Sequence, residues 1–139
     1  MSKIILITGS SRGIGAAVAR LAKEKGYDVL LHGKTTTPAL KALAKELESK
    51  FVTFDVSKER EISKALLKIE TIDILINSAG INISKPFLNL TDEDWRAIYD
   101  INVFGLVNVT RHVVPIMMKT EHICKIINIA SIKGVYSSV

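Results

Sequence analysis

Thr8-Gly9-Ser10-Ser11-Arg12-Gly13-Ile14-Gly15 follows directly on the apolar run Ile4 to Ile7, and its three glycines are the residues of this chain most plainly arranged for chemistry. A glycine-rich turn between a buried strand and a helix is suited to holding an anion. The first amide N–H groups of such a helix have no intrahelical partner, and its dipole is positive at that end, so phosphate groups settle there. Gly9 is expected to permit the tight turn off the strand, Gly13 to remove a side chain where backbone must approach a pyrophosphate, and Gly15 to let the helix pack close to the sheet. The three-residue gap between the first two glycines departs from the G-x-G-x-x-G dinucleotide fingerprint.

The elements that must position this loop follow from hydrophobic periodicity. Ile4 to Ile7, Val29 to Leu31, Phe51 to Phe54, Ile72 to Ile76 and Lys125 to Ile129 read as five short strands. Between them lie helical patterns: Ile14, Val18, Leu21 and Ala22 up to Gly26; Leu40, Leu43, Ala44 and Leu47 behind a Thr37-Pro38 start; Ile62, Ala65, Leu66 and Ile69 behind a Ser57 cap. A long loop through Gly80 and Pro86 leads to Thr91-Asp92-Glu93-Asp94, which resembles a capping box. The long helix behind it carries Trp95, Ile98, Ile101, Phe104 and Val109 and is expected to bend or end near Pro115. Strands alternating with helices, each strand apolar almost throughout, imply a parallel sheet covered on both faces.

Composition narrows the function classes. With 139 residues, 47% of them hydrophobic, residues 1–139 are expected to form a single domain with a substantial core. The formal charge of +5 comes from 19 Lys and Arg against 14 Asp and Glu, but the basic residues are scattered rather than gathered on a stripe with aromatics. Lys41, Lys45, Glu46 and Glu48 share a solvated helix face, so nucleic acid is not an expected partner. The single cysteine, Cys124, allows no internal disulfide and no Cys-x-x-Cys site, and His112 and His122 have no partners at metal-ligand spacing, so no metal is expected. No apolar stretch is long enough to cross a bilayer or open a signal peptide, and a cytoplasmic setting is expected.

Four signatures occur in order: the glycine loop, Asp55-Val56, Asn77-Ser78-Ala79-Gly80, and Ile129-Ala130-Ser131-Ile132-Lys133-Gly134. With Asn102 in Asn102-Val103-Phe104-Gly105, they resemble the short-chain dehydrogenase/reductase family over essentially the whole chain, in a form similar to bacterial 3-oxoacyl-carrier-protein reductases and related sugar or polyol dehydrogenases. The resemblance implies an α/β, Rossmann-like doubly wound parallel sheet of strand order 3-2-1-4-5, with the cofactor crossing the switch point between the first and fourth strands. It implies hydride transfer between a nicotinamide and a carbonyl or secondary alcohol, on a small-molecule or acyl-chain substrate, in a homo-oligomer joined through the long helix 91–118.

The resemblance also distributes roles. Gly9, Ser11, Gly13, Ile14 and Gly15 would cradle the cofactor's phosphates. After the second strand, Leu31-His32-Gly33-Lys34-Thr35 holds no acid to accept a ribose 2′-hydroxyl, whereas Arg12, Lys34 and Thr35 would suit a 2′-phosphate, which favours NADP(H) over NAD(H). His32 is included among the cofactor residues. Asp55 would accept from the adenine amino group with the Val56 amide facing the ring; Asn77 would hold the end of the central strand, and Ala79 and Gly80 would let the adenosine ribose lie against backbone. Ile81, Asn82 and Ser84 would border the nicotinamide end. Ser131 would stabilise charge on the substrate oxygen, with no G-x-S-x-G elbow to make it a nucleophile, and Asn102 would hold a proton-relay water through a local helix distortion. The family's Tyr-x-x-x-Lys pair is expected about thirteen residues after Ser131, past Val139; Tyr136 is not its counterpart. The chain is accordingly expected to be the front part of a longer enzyme or a catalytically incomplete one.

Overall fold

The computed structural model of the chain describes residues 2–135; Tyr136 lies outside them. Five strands, β1 (Ile4–Ile7), β2 (Asp28–Gly33), β3 (Lys50–Thr53), β4 (Ile74–Asn77) and β5 (Lys125–Asn128), form one sheet in the order β3-β2-β1-β4-β5, with every pairing parallel. Five helices connect them: α1 (Gly13–Glu24), α2 (Pro38–Glu46), α3 (Glu59–Leu66), α4 (Asp92–Tyr99) and α5 (Leu106–Met117).

Successive strand residues point to opposite faces, and that alternation splits the core in two. Ile5, Ile7, Val29, Leu31, Ile74 and Ile76 pack against Ala16, Ala19 and Ala22 of α1 and Leu40, Leu43 and Ala44 of α2. Leu6, Leu30 and Leu75 face the other way, onto Ile62 and Leu66 of α3, Val109 and Val113 of α5, and Phe54. The alanines of α1 explain how that helix lies close to the sheet. The doubly wound architecture and strand order implied by the sequence are therefore present.

Local differences have local causes. Ser57 does not cap α3: Lys58 occupies the cap position without a side-chain bond, while the Ser57 hydroxyl and amide both donate to the Asp55 carboxylate. Thr37 does cap α2, accepting from the Leu40 amide, and Thr91 with Asp94 closes a reciprocal capping box at α4. The long helix ends near Pro115 as expected: the proline sits inside the last turn of α5, which stops at Met117, and the helix geometry also changes at a π-helical segment, Asp100–Gly105, between α4 and α5. A single 3₁₀ turn at Phe87–Asn89 interrupts the loop before α4. β5 is the sheet edge opposite β3, and all four of its residues are exposed.

Candidate functional site

The parallel register sets Ile7 opposite both Leu31 and Ile76, so the carboxyl ends of β1, β2 and β4 leave the sheet at one level. A cleft of about 630 Å3 lies across these ends, between the glycine loop and the loop after β4. Consecutive strands wind away from each other here, since β1 is flanked by β2 on one side and β4 on the other, and ligands of open α/β sheets bind at such a point. A second concavity, about 470 Å3, opens at the amino ends of the strands, where Lys23, Lys50 and Lys68 mix with Asp28 and Glu70 and no reactive constellation forms.

The glycine loop is built from two left-handed residues, Gly9 (φ +63°) and Gly13 (φ +57°). At Gly9 a Cβ would stand 2.8 Å from the Ala79 Cα, so the two loops approach too closely for any side chain there. At Gly13 a Cβ would meet no protein atom within 4 Å and would project into open space beside the cleft. Gly15 differs from the expectation: its Cβ would lie 2.4 Å from the Gly9 carbonyl oxygen and 2.9 Å from the Ser10 Cα, so it is the loop, not the sheet, that demands this glycine. Arg12 sits at the N-cap of α1 without a side-chain cap bond, and the first turn holds no acid. The positive helix end thus faces the cleft uncompensated, beside Ser11 and an Ile14 left 62% exposed.

Buried polar groups fix this loop. The Thr8 hydroxyl accepts from the Ser78 amide at 3.0 Å and the Ala79 amide at 3.1 Å, locking the turn after β1 to the one after β4. The sequence reading missed Thr8, whose only signal is a hydroxyl at the strand's exit. Ser10 and His32 exchange backbone and hydroxyl bonds, and the His32 Nδ1 accepts from the Gly9 amide at 3.0 Å while Nε2 lies 2.9 Å from the Phe54 carbonyl oxygen. His32 therefore forms the cleft's floor with both ring nitrogens committed to backbone, a support for the loop rather than the direct cofactor contact expected of it. Burial pushes its pKa down to about 4, against weaker opposing effects from the Phe54 carbonyl and the Asp55 charge.

Lys34 and Asp55, expected to contact different parts of a nucleotide, meet each other with the ammonium 3.0 Å from Oδ2. Burial raises the Asp55 pKa, but hydrogen bonds from the Ser57 hydroxyl and amide and from Lys34 outweigh it and hold the carboxyl below its ordinary range. Thr35 is exposed at the same rim, and Val56 is buried beneath it, with the Gly105 Cα so close that a Cβ would come 2.6 Å from the Val56 Cγ2. Asn77, Asn82 and Ser84 are expected at the cofactor but do not line the cleft; Asn77 is buried, donating to Thr110 and to Asn128 on β5, and so joins β4, α5 and β5.

Ala79, Gly80 and Ile81 line the opposite wall. Asn102 clamps it from the π-helical segment: its Oδ1 accepts from the Ile81 amide and its Nδ2 donates to the Ile81 carbonyl, both at 2.8 Å. The expected helix distortion is present, and the Asn102 side chain is occupied in holding the wall. Ser131 accepts from the Lys133 amide at 3.2 Å at the start of a 3₁₀ turn, which leaves its hydroxyl proton free to donate. His112 Nδ1 is bonded to the Asn108 carbonyl, His122 pairs with Asp73, and among the described residues no three His, Cys, Asp or Glu form a metal-holding group. No helix among them is long and apolar enough to cross a membrane.

A family model described as short chain dehydrogenase matches residues 3–139. The chain belongs to the short-chain dehydrogenase family. This short-chain dehydrogenase is similar to serine 3-dehydrogenase of Agrobacterium fabrum, 36% identical over 98% of this chain and 56% of that protein, and to the 3-oxoacyl-[acyl-carrier-protein] reductase FabG of Thermotoga maritima, 34% identical over 98% of this chain and 58% of that one. Among solved structures it resembles the closed form of serine dehydrogenase complexed with NADP+, with a TM-score of 0.88 at 32% identity over 97% of this chain and 56% of that one. The chain spans a little over half the length of the curated relatives it matches.

Proposed function

We propose that this chain binds NADP(H) in preference to NAD(H) across the β1/β4 switch point, and that it serves reversible hydride transfer between the nicotinamide and the carbonyl or secondary alcohol of a 3-oxoacyl-type or small substrate. The observation that carries the reading is the uncapped, acid-free N-terminus of α1 opening onto a cleft through Gly13, whose missing side chain leaves the approach clear. The match to an NADP+-complexed serine dehydrogenase and to a 3-oxoacyl reductase supports it. So does the rim of β2, where Arg12, Lys34 and Thr35 supply cationic and hydroxyl groups suited to a 2′-phosphate.

NADPH, when bound, supplies the hydride. The chain's own residues orient and polarise. Asp55 and Val56 form the adenine end, Ala79 and Gly80 the ribose wall, and Asn77 keeps that wall attached to β5, which carries Ser131 just beyond its end. The Ser131 hydroxyl, accepting from Lys133, donates its proton toward a carbonyl oxygen as negative charge develops there. Asn102 holds Ile81 at the nicotinamide end. The proton itself is assigned to the Tyr-x-x-x-Lys pair of the family, which these 139 residues do not contain. The reading further places the protein in the cytoplasm, in a homo-oligomer joined through residues 91–118, where Trp95, Tyr99, Val103, Phe104 and Val107 leave an apolar face exposed.

Fluorescence titration with NADPH and NADH tests the cofactor assignment directly. Tighter NADPH binding is expected, with Arg12→Ala and Lys34→Ala each weakening NADPH about tenfold and NADH little, as lost charge-assisted bonds would. Equal binding of the two would overturn the preference, and no binding of either would overturn the site.

A further inference from the structure

The glycine loop has an anchor that its motif does not contain. Gly9 is held left-handed, its amide turned inward, and the group that receives that amide is not backbone but the imidazole of His32, two strand positions before Lys34. The bond fixes the ring's chemistry. Nδ1 must be an unprotonated acceptor, so the proton sits on Nε2 and is donated to the Phe54 carbonyl at the end of β3. The ring is 2% exposed and packs against the Phe54 ring with centroids 4.0 Å apart, and both its nitrogens are committed to backbone. One neutral tautomer thereby joins three segments that wall the cleft: the turn after β1, the end of β2 and the end of β3.

We propose that His32 is the positioning residue of the nucleotide cradle, holding Gly9 in its binding conformation through neutral Nδ1, and that protonation of the ring releases the loop and weakens nucleotide binding. An imidazolium has no acceptor, so Nδ1–H would confront the Gly9 N–H directly across 3.0 Å. The loop must then move, and Gly9 cannot move toward Ala79, against which it is already tight. The charged groups around the ring are few: Asp55 at the end of β3, whose carboxylate favours the charged form; Lys34 on β2, ion-paired to that carboxylate; and Arg12, exposed on the loop. Burial outweighs the Phe54 carbonyl and the Asp55 charge and keeps the ring neutral until about pH 4. The inference rests on the nucleotide reading of the cleft for its consequence but not for its geometry, which belongs to the loop itself.

Two measurements separate them. In the nucleotide-free protein, the 15N resonances of the His32 ring should report the Nε2–H tautomer at pH 7, with an Nδ1 coupled to the Gly9 amide; a ring protonated on Nδ1 would overturn the proposal whether or not any nucleotide binds. Calorimetric titration with NADP+ at pH 7.5 and pH 4.0, where about half the rings are protonated, then compares wild type with His32→Asn, which keeps an acceptor near Nδ1, and His32→Leu, which keeps none. At pH 7.5, His32→Leu should bind about tenfold more weakly and His32→Asn within about threefold of wild type, the difference being one unsatisfied amide. The wild-type affinity should fall more between the two pH values than that of His32→Asn, in which titration of the ligand and of Asp55 is unchanged. Equal pH dependence in the two, or equal affinities for His32→Asn and His32→Leu, would overturn the proposal. Wild type that fails to bind NADP+ at pH 7.5 while showing the expected tautomer would instead overturn the cofactor reading.

Discussion

At the scale of single residues, the three glycines look alike in sequence but answer different constraints, and substitution separates them. Gly13 is left-handed with open space beyond it, so Gly13→Ala meets only the conformational penalty, about 1–2 kcal/mol. Its new methyl would occupy the approach to the helix end, so nucleotide affinity should fall by more than stability; a melting curve beside an NADPH titration checks this. Gly15→Ala needs the Gly9 carbonyl to move and should damage fold and binding together. His32 gives a third prediction, in stability alone. Its folded-state pKa of about 4 lies below the ordinary 6.5, so unfolding takes up a proton between those values. Stability is whole above pH 6.5, declines as pH falls, and levels out below about pH 4, a loss of about 3 kcal/mol. Urea unfolding across that range should show the decline in wild type in excess of that in His32→Gln, whose side chain does not titrate; parallel curves would contradict a buried neutral histidine.

At the scale of elements, strand order came with the family resemblance rather than from any one element, whereas the strands themselves were legible because their determinant is local, short apolar runs between helical patterns. The Thr37 and Thr91 caps were legible for the same reason, each being a hydroxyl bonding within three residues. Ser57 was misread because the cap rule considers only the helix ahead, whereas Asp55 behind it offered a carboxylate that took both Ser57 donors. The roles of Thr8, His32 and Asn77 were hidden for a different reason: their partners lie 70, 23 and 51 positions away, and only the assembled sheet brings them together. The π-helical segment shows the same dependence on tertiary contact. Asn102 makes two bonds to Ile81, and a regular helix from Asp92 onward would present its side chains at different angles. Asn102→Ala should therefore leave α4 and α5 intact while the Ile81 amide exchanges its hydrogen about tenfold faster, since one bond of ordinary net strength is lost there. Unchanged exchange at Ile81 would mean that the wall is held by something other than this clamp.

At the scale of the whole molecule, the apolar surface is unevenly finished, and the unevenness separates two kinds of association. Both core layers are closed over β1, β2 and β4, but β5 stands at the edge with Ile126 and Ile127 each more than 40% exposed. The face running along α4, the π-helical segment and α5 exposes Trp95, Tyr99, Val103 and Phe104. An exposed strand edge recruits partners through its unpaired N–H and C=O groups and has no natural limit, whereas a helix face pairs with a complementary face and closes. A closed oligomer through the helices should have one defined mass, and association through β5 should grow with concentration. Sedimentation velocity over a dilution series distinguishes them. Phe104→Glu should shift a defined oligomer toward the monomer with little change in melting temperature, because Phe104 belongs to neither core layer. Ile127→Lys should instead suppress open-ended growth and leave any defined oligomer in place. If Ile127→Lys alone abolished all association, the helix face would not be the assembly surface, and its exposed aromatics would need another partner.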